Sequence, residues 1–152
     1  MTITLVEKVA TQAASQMVGK RIEKVSNAHG SFLMLECGNS VDIIYSDGSC
    51  EKRREWLLWC YQCVWRLEKK NRVLIGALDD QDEIREKIPI LQHKTILSIK
   101  INPHFLDIEI IFSGNLALRC FSSKLDEEQW VLYRPDGLAF SASTLGDCTL
   151  EE

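Results

Sequence analysis

The sequence predicts an α+β protein of two similar β-rich halves, each a helix followed by about five mainly antiparallel strands, packed as a sandwich or pseudo-barrel. Three observations carry that expectation. Apolar residues alternate at spacing two through much of the chain, helical spacing is confined to two segments, and the order of patterns in residues 1–78 recurs in 79–152. At 152 residues and 45% hydrophobic, the chain suits one domain spanning 1–152.

The first helix is expected from about Thr4 to Met17, where Leu5, Val9, Ala13 and Met17, with Val6, Ala10 and Ala14, make one apolar stripe. Next, Leu33, Leu35 and Cys37 alternate with Met34 and Glu36, and Val41, Ile43 and Tyr45 continue at the same spacing. Gly38-Asn39 between the two runs reads as a tight hairpin connection. The segment "DDQDEIREKIPIL" opens with acids, which a helix dipole favours, and sets Ile84 and Ile88 on one face before Pro89 ends it. Leu106, Ile108, Ile110 and Phe112 then alternate with Asp107 and Glu109, Gly114-Asn115 supplies a turn, and Leu116, Leu118 and Cys120 follow. "WVLYRPDGLAF" reads as a last hairpin. Pro135 presets its first turn dihedral and Gly137 suits a left-handed position, which leaves Trp130, Leu132, Leu138 and Phe140 facing inward.

Laying the chain against itself matches Lys20, Ile22 and Val25 with Lys94, Ile96 and Ile99. After a one-residue shift Phe32, Leu33, Leu35 and Glu36 fall on Phe105, Leu106, Ile108 and Glu109, and Gly38-Asn39 on Gly114-Asn115. Trp65, Leu67, Val73 and Ala77 fall on Trp130, Leu132, Leu138 and Ala142. The common order implies an internal duplication, 1–78 and 79–152.

Charge divides along the same line. Residues 1–78 carry a net +3 and 79–152 a net −7, giving −4 in all. This balance argues against a nucleic-acid binder, which needs a concentrated basic face. The N-terminal "MTITLVEKVATQAASQ" lacks the basic and apolar regions of a signal peptide, and no apolar run approaches membrane-spanning length. A cytoplasmic protein without membrane contact is expected, with its six cysteines as free thiols.

The loudest stretch is "EWLLWCYQCVW", because Trp-Cys-x-x-Cys resembles a thioredoxin-type redox site. Such a site needs its first cysteine at a helix start after a buried strand, and "CEKRRE" cannot be a buried strand. Pro103, forty residues after Cys63, is near the spacing of that family's cis-proline, but the second half offers no cysteines at the matching sites. Zinc is disfavoured because a closed site wants four ligands, whereas His29, His93 and His104 are scattered singly. Trp56, Trp59, Cys60, Cys63 and Trp65 are therefore read as core packing, with Arg53, Arg54 and Gln62 outside, and no cofactor or metal is expected.

Catalytic groups are equally scarce. No serine sits in a nucleophile elbow, no glycine-rich loop cradles phosphate, and Glu36 with Glu109 is the one conceivable acid pair. What remains is acidic: Asp79, Asp80, Asp82 and Glu83 in one segment and Asp126, Glu127 and Glu128 in another, facing modestly basic "EKRRE" and "RLEKKNR" in the first half. Such polarity suits a surface that selects a basic protein partner, or head-to-tail self-association. Oligomeric state is left open, with a homodimer among the options.

"MVGKRIEKV", "FLMLECGNSVDI" and "LALRCF" with "EEQWVLYRPDGLAFSA" resemble small bacterial proteins of the immunity-protein and uncharacterised class. In that class an "L-x-G-x-x-I-x-x-V" core precedes β-hairpins and a closing "W-x-L-x-x-x-D-G" strand pair. The resemblance implies a non-enzymatic protein that binds and blocks a cognate toxin. The other function class consistent with the residues is a small-ligand binder or enzyme with a pocket between the two halves.

Overall fold

Alternation becomes burial along β2 (Phe32–Ile44), whose Leu33, Leu35 and Cys37 are fully buried while Met34 and Glu36 between them are partly exposed. The same happens in β7 (Ile108–Phe112) and β8 (Leu116–Phe121), where every second residue is buried. The computed structural model describes residues 5–28, 32–61, 63–102, 106–121, 128–143 and 148–151. The remaining strands are β1 (Ile22–Ala28), β3 (Cys50–Cys60), β4 (Val64–Lys69), β5 (Arg72–Gly76), β6 (Ile96–Ile101), β9 (Glu128–Tyr133), β10 (Ala139–Ser143) and β11 (Cys148–Glu151). Helix α1 (Leu5–Ser15) precedes β1, and α2 (Gln81–Lys87) with a 3-10 turn (Ile88–Leu91) precedes β6. Ile84 and Ile88 are buried as their spacing predicts, and Pro89 sits inside the first turn of the 3-10 segment, where its missing N–H costs nothing.

The protein is α+β with two antiparallel sheets, neither of them closed. The first runs β1-β2-β3-β9-β10-β11 and the second β5-β4-β8-β7-β6. Strands β1 to β3 therefore form a meander in one sheet while the hairpin β4-β5 joins the other; β6 to β8 form a meander there and β9-β10 crosses back. Inward side chains of both sheets share one apolar cluster with Ala13, Ala14 and Met17 from the α1 end. Burial of such side chains contributes roughly 1.5–3 kcal/mol each. The partly exposed ion pairs on the outer faces contribute under about 1 kcal/mol each, so the inward rows decide the fold.

Pairing relates the two meanders residue by residue. Ile22 lies opposite Cys37 and Val25 opposite Leu35, as Ile96 lies opposite Phe112 and Ile99 opposite Ile110; both edge strands bulge just after Ile22 and Ile96. The two edges also meet. Arg21 bridges Thr95, Ile22 N–H donates to the Lys94 carbonyl and Ile96 N–H to that of Lys20, each at 2.9 Å. Gly19 N–H donates to the Ile96 carbonyl and His93 N–H to that of Ile22, each at 2.7 Å, and both donors have positive φ. At the other end Trp130 lies opposite Cys60 and Trp65 opposite Cys120.

Several expectations need correction. Gly38-Asn39 is not a hairpin connection: β2 runs through it, and Gly38 (φ +87°) forms a bulge opposite Glu55, whose Oε1 accepts from Asn39 N–H at 2.6 Å. The turn lies instead at Asp47-Gly48. Gly114-Asn115 does make the expected turn, with both residues at positive φ. Leu33 lies opposite Cys60 as Ile108 lies opposite Cys120, two residues beyond the Leu106 that the sequence match pairs with Leu33. "CEKRRE" lies within β3 after all, and Arg53 is buried, its guanidinium over the Tyr133 ring and donating to the Arg134 carbonyl at 2.8 Å.

Two substitutions test this framework by urea denaturation. Trp130→Phe removes the buried indole donor to the Leu106 carbonyl at 2.7 Å and is expected to cost about 1–3 kcal/mol. Gly38→Ala forces a Cβ to 3.0 Å from that of Glu55 at left-handed φ and is expected to cost at least about 1–2 kcal/mol.

Candidate functional site

The strand order brings three thiols together. Cys60 ends β3, the last inward position before the chain leaves the first sheet; Cys63 lies in the bend that enters the second sheet; Cys120 is the last inward residue of β8, before the chain returns. Their Sγ atoms all lie within 4.8 Å of one another, and Cys60 Sγ is 3.1 Å from Cys120 Sγ. All three are buried, Cys60 at 0%, Cys120 at 1% and Cys63 at 7% exposure. Cys120 lies opposite Trp65 as Cys60 lies opposite Trp130. No thioredoxin geometry results, because Cys63 is followed by β4 and not by a helix.

The thiols differ in acidity. Hydrogen bonds from Cys120 and then Cys60 hold the Cys63 thiol down to about 5. Cys120 is pushed well up by its hydrogen bonds to Cys60 and Cys63 and by burial. At Cys60 the contact with Cys120 works downward, but the bond to Cys63 and burial outweigh it, so that thiol is raised as well. Cys37, away from this group, is pushed up to about 12 by burial. As metal ligands the three sulfurs form a soft donor set.

A second feature is the outer part of the β2-β3 hairpin. β1 pairs with β2 only as far as Cys37, and β9 with β3 only over Leu57–Cys60, so residues 40–44 and 50–54 pair only with each other. They form a ribbon extending about 17 Å, by the rise of a strand. Near its tip Ile44 is 77% and Tyr45 46% exposed, and Cys50 is exposed beside them. In the other meander the same connection takes only the turn Ser113–Asn115.

The acidic residues have ordinary local partners. Asp79, Asp80, Asp82 and Glu83 are all exposed around the start of α2; Asp79 accepts from Gly76 N–H at 2.8 Å, and Asp82 pairs with Arg85 at 3.2 Å. Asp126 and Glu127 lie outside the described residues, as does the side chain of Glu128, whose backbone begins β9. Glu36 and Glu109 are not brought together. Glu36 is in the first sheet, 3.9 Å from Lys24, and Glu109 is in the second, paired with Arg119. Arg119 also holds Glu68 at 2.8 Å, with Arg66 at 2.7 Å; these cations keep the Glu68 carboxyl low although burial works upward.

Arg119 and Glu109 line an open depression of about 370 Å³ with Lys100, Asn102, Asp107 and Phe121. It lies on the second sheet and not between the halves. Between the sheets, the cavity lined by Met17, Leu58, Ile99, Ile108, Trp130 and Leu132 measures about 10 Å³, room for a single water at most. No described helix is long and apolar enough to cross a membrane.

Alkylation checks the thiol environments. In native protein at pH 8 the exposed Cys50 is expected to react first and Cys63 next, while Cys37, Cys60 and Cys120 react only on unfolding; peptide mass spectrometry reads the order. The sign for Cys37 follows from its raised value. Its contribution to stability is complete below the ordinary thiol value of 9.0 and is lost as pH rises toward 12, so Cys37→Ala is expected to flatten the alkaline fall in melting temperature over that window. Compared with protein-family models, with curated proteins and with solved structures, the chain finds no match.

Proposed function

We propose that this protein is a non-enzymatic protein-binding module whose contact element is the β2-β3 ribbon, with neutralisation of a cognate bacterial toxin as its most concrete form. The ribbon carries this reading. It is the largest departure of one meander from the other: Cys37 and Trp56 flank it as Phe112 and Leu116 flank a three-residue turn. Apart from buried Arg53, which packs on Tyr133, residues 40–44 and 50–54 pair only with each other, yet they present apolar Ile44 and Tyr45 at the end of a two-stranded element. Such an element suits β-strand addition or insertion into a partner's groove.

The same reading takes the two halves as copies of one ancestral unit, a helix with five strands in the first and six in the second, each completing the other's sheet. It places the protein in the cytoplasm, where the five described free cysteines would stay reduced. The acidic Asp79, Asp80, Asp82 and Glu83 serve as a second, charge-selective patch toward a basic partner.

Replacing Gly38–Glu55 with Ser-Gly-Asn, the turn that joins β7 and β8, tests the proposal. The shortened chain is expected to keep its circular dichroism spectrum and to lose the partner captured by the full chain from its native host; Ile44→Asp is expected to weaken that complex tenfold or more. Capture of no protein by the full chain, or equal capture by the ribbonless one, would count against the reading.

A further inference from the structure

We propose that Cys60, Cys63 and Cys120 bind one monovalent copper ion as a three-coordinate, all-sulfur site. Geometry is the first support. An ion about 2.3 Å from each of three sulfurs needs them about 4 Å apart. The sulfurs here are all within 4.8 Å of one another and Cys60 and Cys120 are 3.1 Å apart, so a change of under about 1 Å in that pair makes room for the ion.

Composition is the second support. The group contains three cysteines and, among the described residues, no further cysteine, histidine or carboxylate. Structural zinc sites are closed by four protein ligands, whereas soft thiolates select monovalent copper, which three sulfurs satisfy. The surroundings favour the reduced ion: Leu33 and Trp130 flank Cys60 on neighbouring strands, Ile108 and Trp65 flank Cys120, and this buried apolar shell keeps water away.

Simple filling of space explains two of the thiols but not the third. Cys60 and Cys120 hold equivalent places at the ends of β3 and β8, so packing alone would put similar small apolar residues at both. Cys63 has no such mate: two residues before Trp130, where Cys63 precedes Trp65, stands Glu128. Cys63 is also the most exposed of the three, at the point where an ion would enter. Binding exchanges the thiol protons for the ion and releases them to solvent, and it ties together the ends of β3 and β8 with the bend into β4.

The test uses the full-length, reduced, metal-free chain titrated anaerobically with Cu(I) against a competing chelator. One ion per chain is expected, with a near-ultraviolet sulfur-to-copper band and three sulfurs at about 2.3 Å by X-ray absorption. Cys63→Ala, at the rim, is expected to keep the fold and weaken binding at least a hundredfold; Cys37→Ala, equally buried but outside the group, is expected to leave copper affinity and stoichiometry unchanged. Copper should raise the melting temperature of the wild type and not of Cys63→Ala. Fewer than three sulfurs around copper, unchanged affinity in Cys63→Ala, displacement of copper by equimolar Zn(II), or a reduced chain that takes up no copper would each overturn the assignment. The wild-type spectra and stoichiometry decide the matter even if Cys60→Ala and Cys120→Ala fail to fold.

Discussion

Everything else in this molecule depends on the exchange of hairpins between sheets. Strand β3 can pair with β9, and β4 with β8, only when both halves of the chain are in place. Half of the chain alone would leave one long side of its meander unpaired and its inward row exposed to water, a state that costs both hydrogen bonds and apolar burial. Closing such distant pairs costs loop entropy before any contact is gained. The backbone bonds between Gly19, Lys20 and Ile22 on one side and His93, Lys94 and Ile96 on the other seal the two meanders at their outer strands.

That exchange also explains where reactive groups collect. A chain leaving one sheet for the other must turn at the end of a central strand, and the two departures are neighbours because the sheets face each other. Cys60 and Cys120 occupy those two ends, so they touch although sixty positions apart in the chain. Burial at this junction removes solvent, and the thiols then have chiefly one another as hydrogen-bond partners, which separates their acidities. The outer sheet faces carry networks of a different kind. Arg66, Glu68, Arg119 and Glu109 tie three adjacent strands across the surface and need no reactive role to account for them.

Departures from the repeated pattern stand out against this regular frame. Side chains that recur in both halves, such as Trp65 and Trp130 or Leu67 and Leu132, have a sufficient reason in packing. The ribbon beyond Gly38 has no equivalent between β7 and β8, and Cys63, though packed in the core, has a Glu at the place two residues before Trp130. They are where the two proposed roles, contact with a protein and binding of a soft ion, reside.

The sequence by itself determined whatever depends on periodicity and local dihedral preference. It marked the inward rows of β2, β7 and β8, the short helix holding Ile84 and Ile88, and the turns at Gly114 and Gly137. Local signals could not say whether Gly38 bends a strand or ends it, because a bulge and a turn demand the same positive φ; only the partner residue Glu55 separates the two. Nor could they pair Cys60 with Cys120. That contact follows from strand order, a property of which edges meet in space, and nothing in the residues adjacent to either thiol encodes it. In the folded chain Cys60 lies opposite Trp130 and Cys120 opposite Trp65, pairings between strands far apart in sequence.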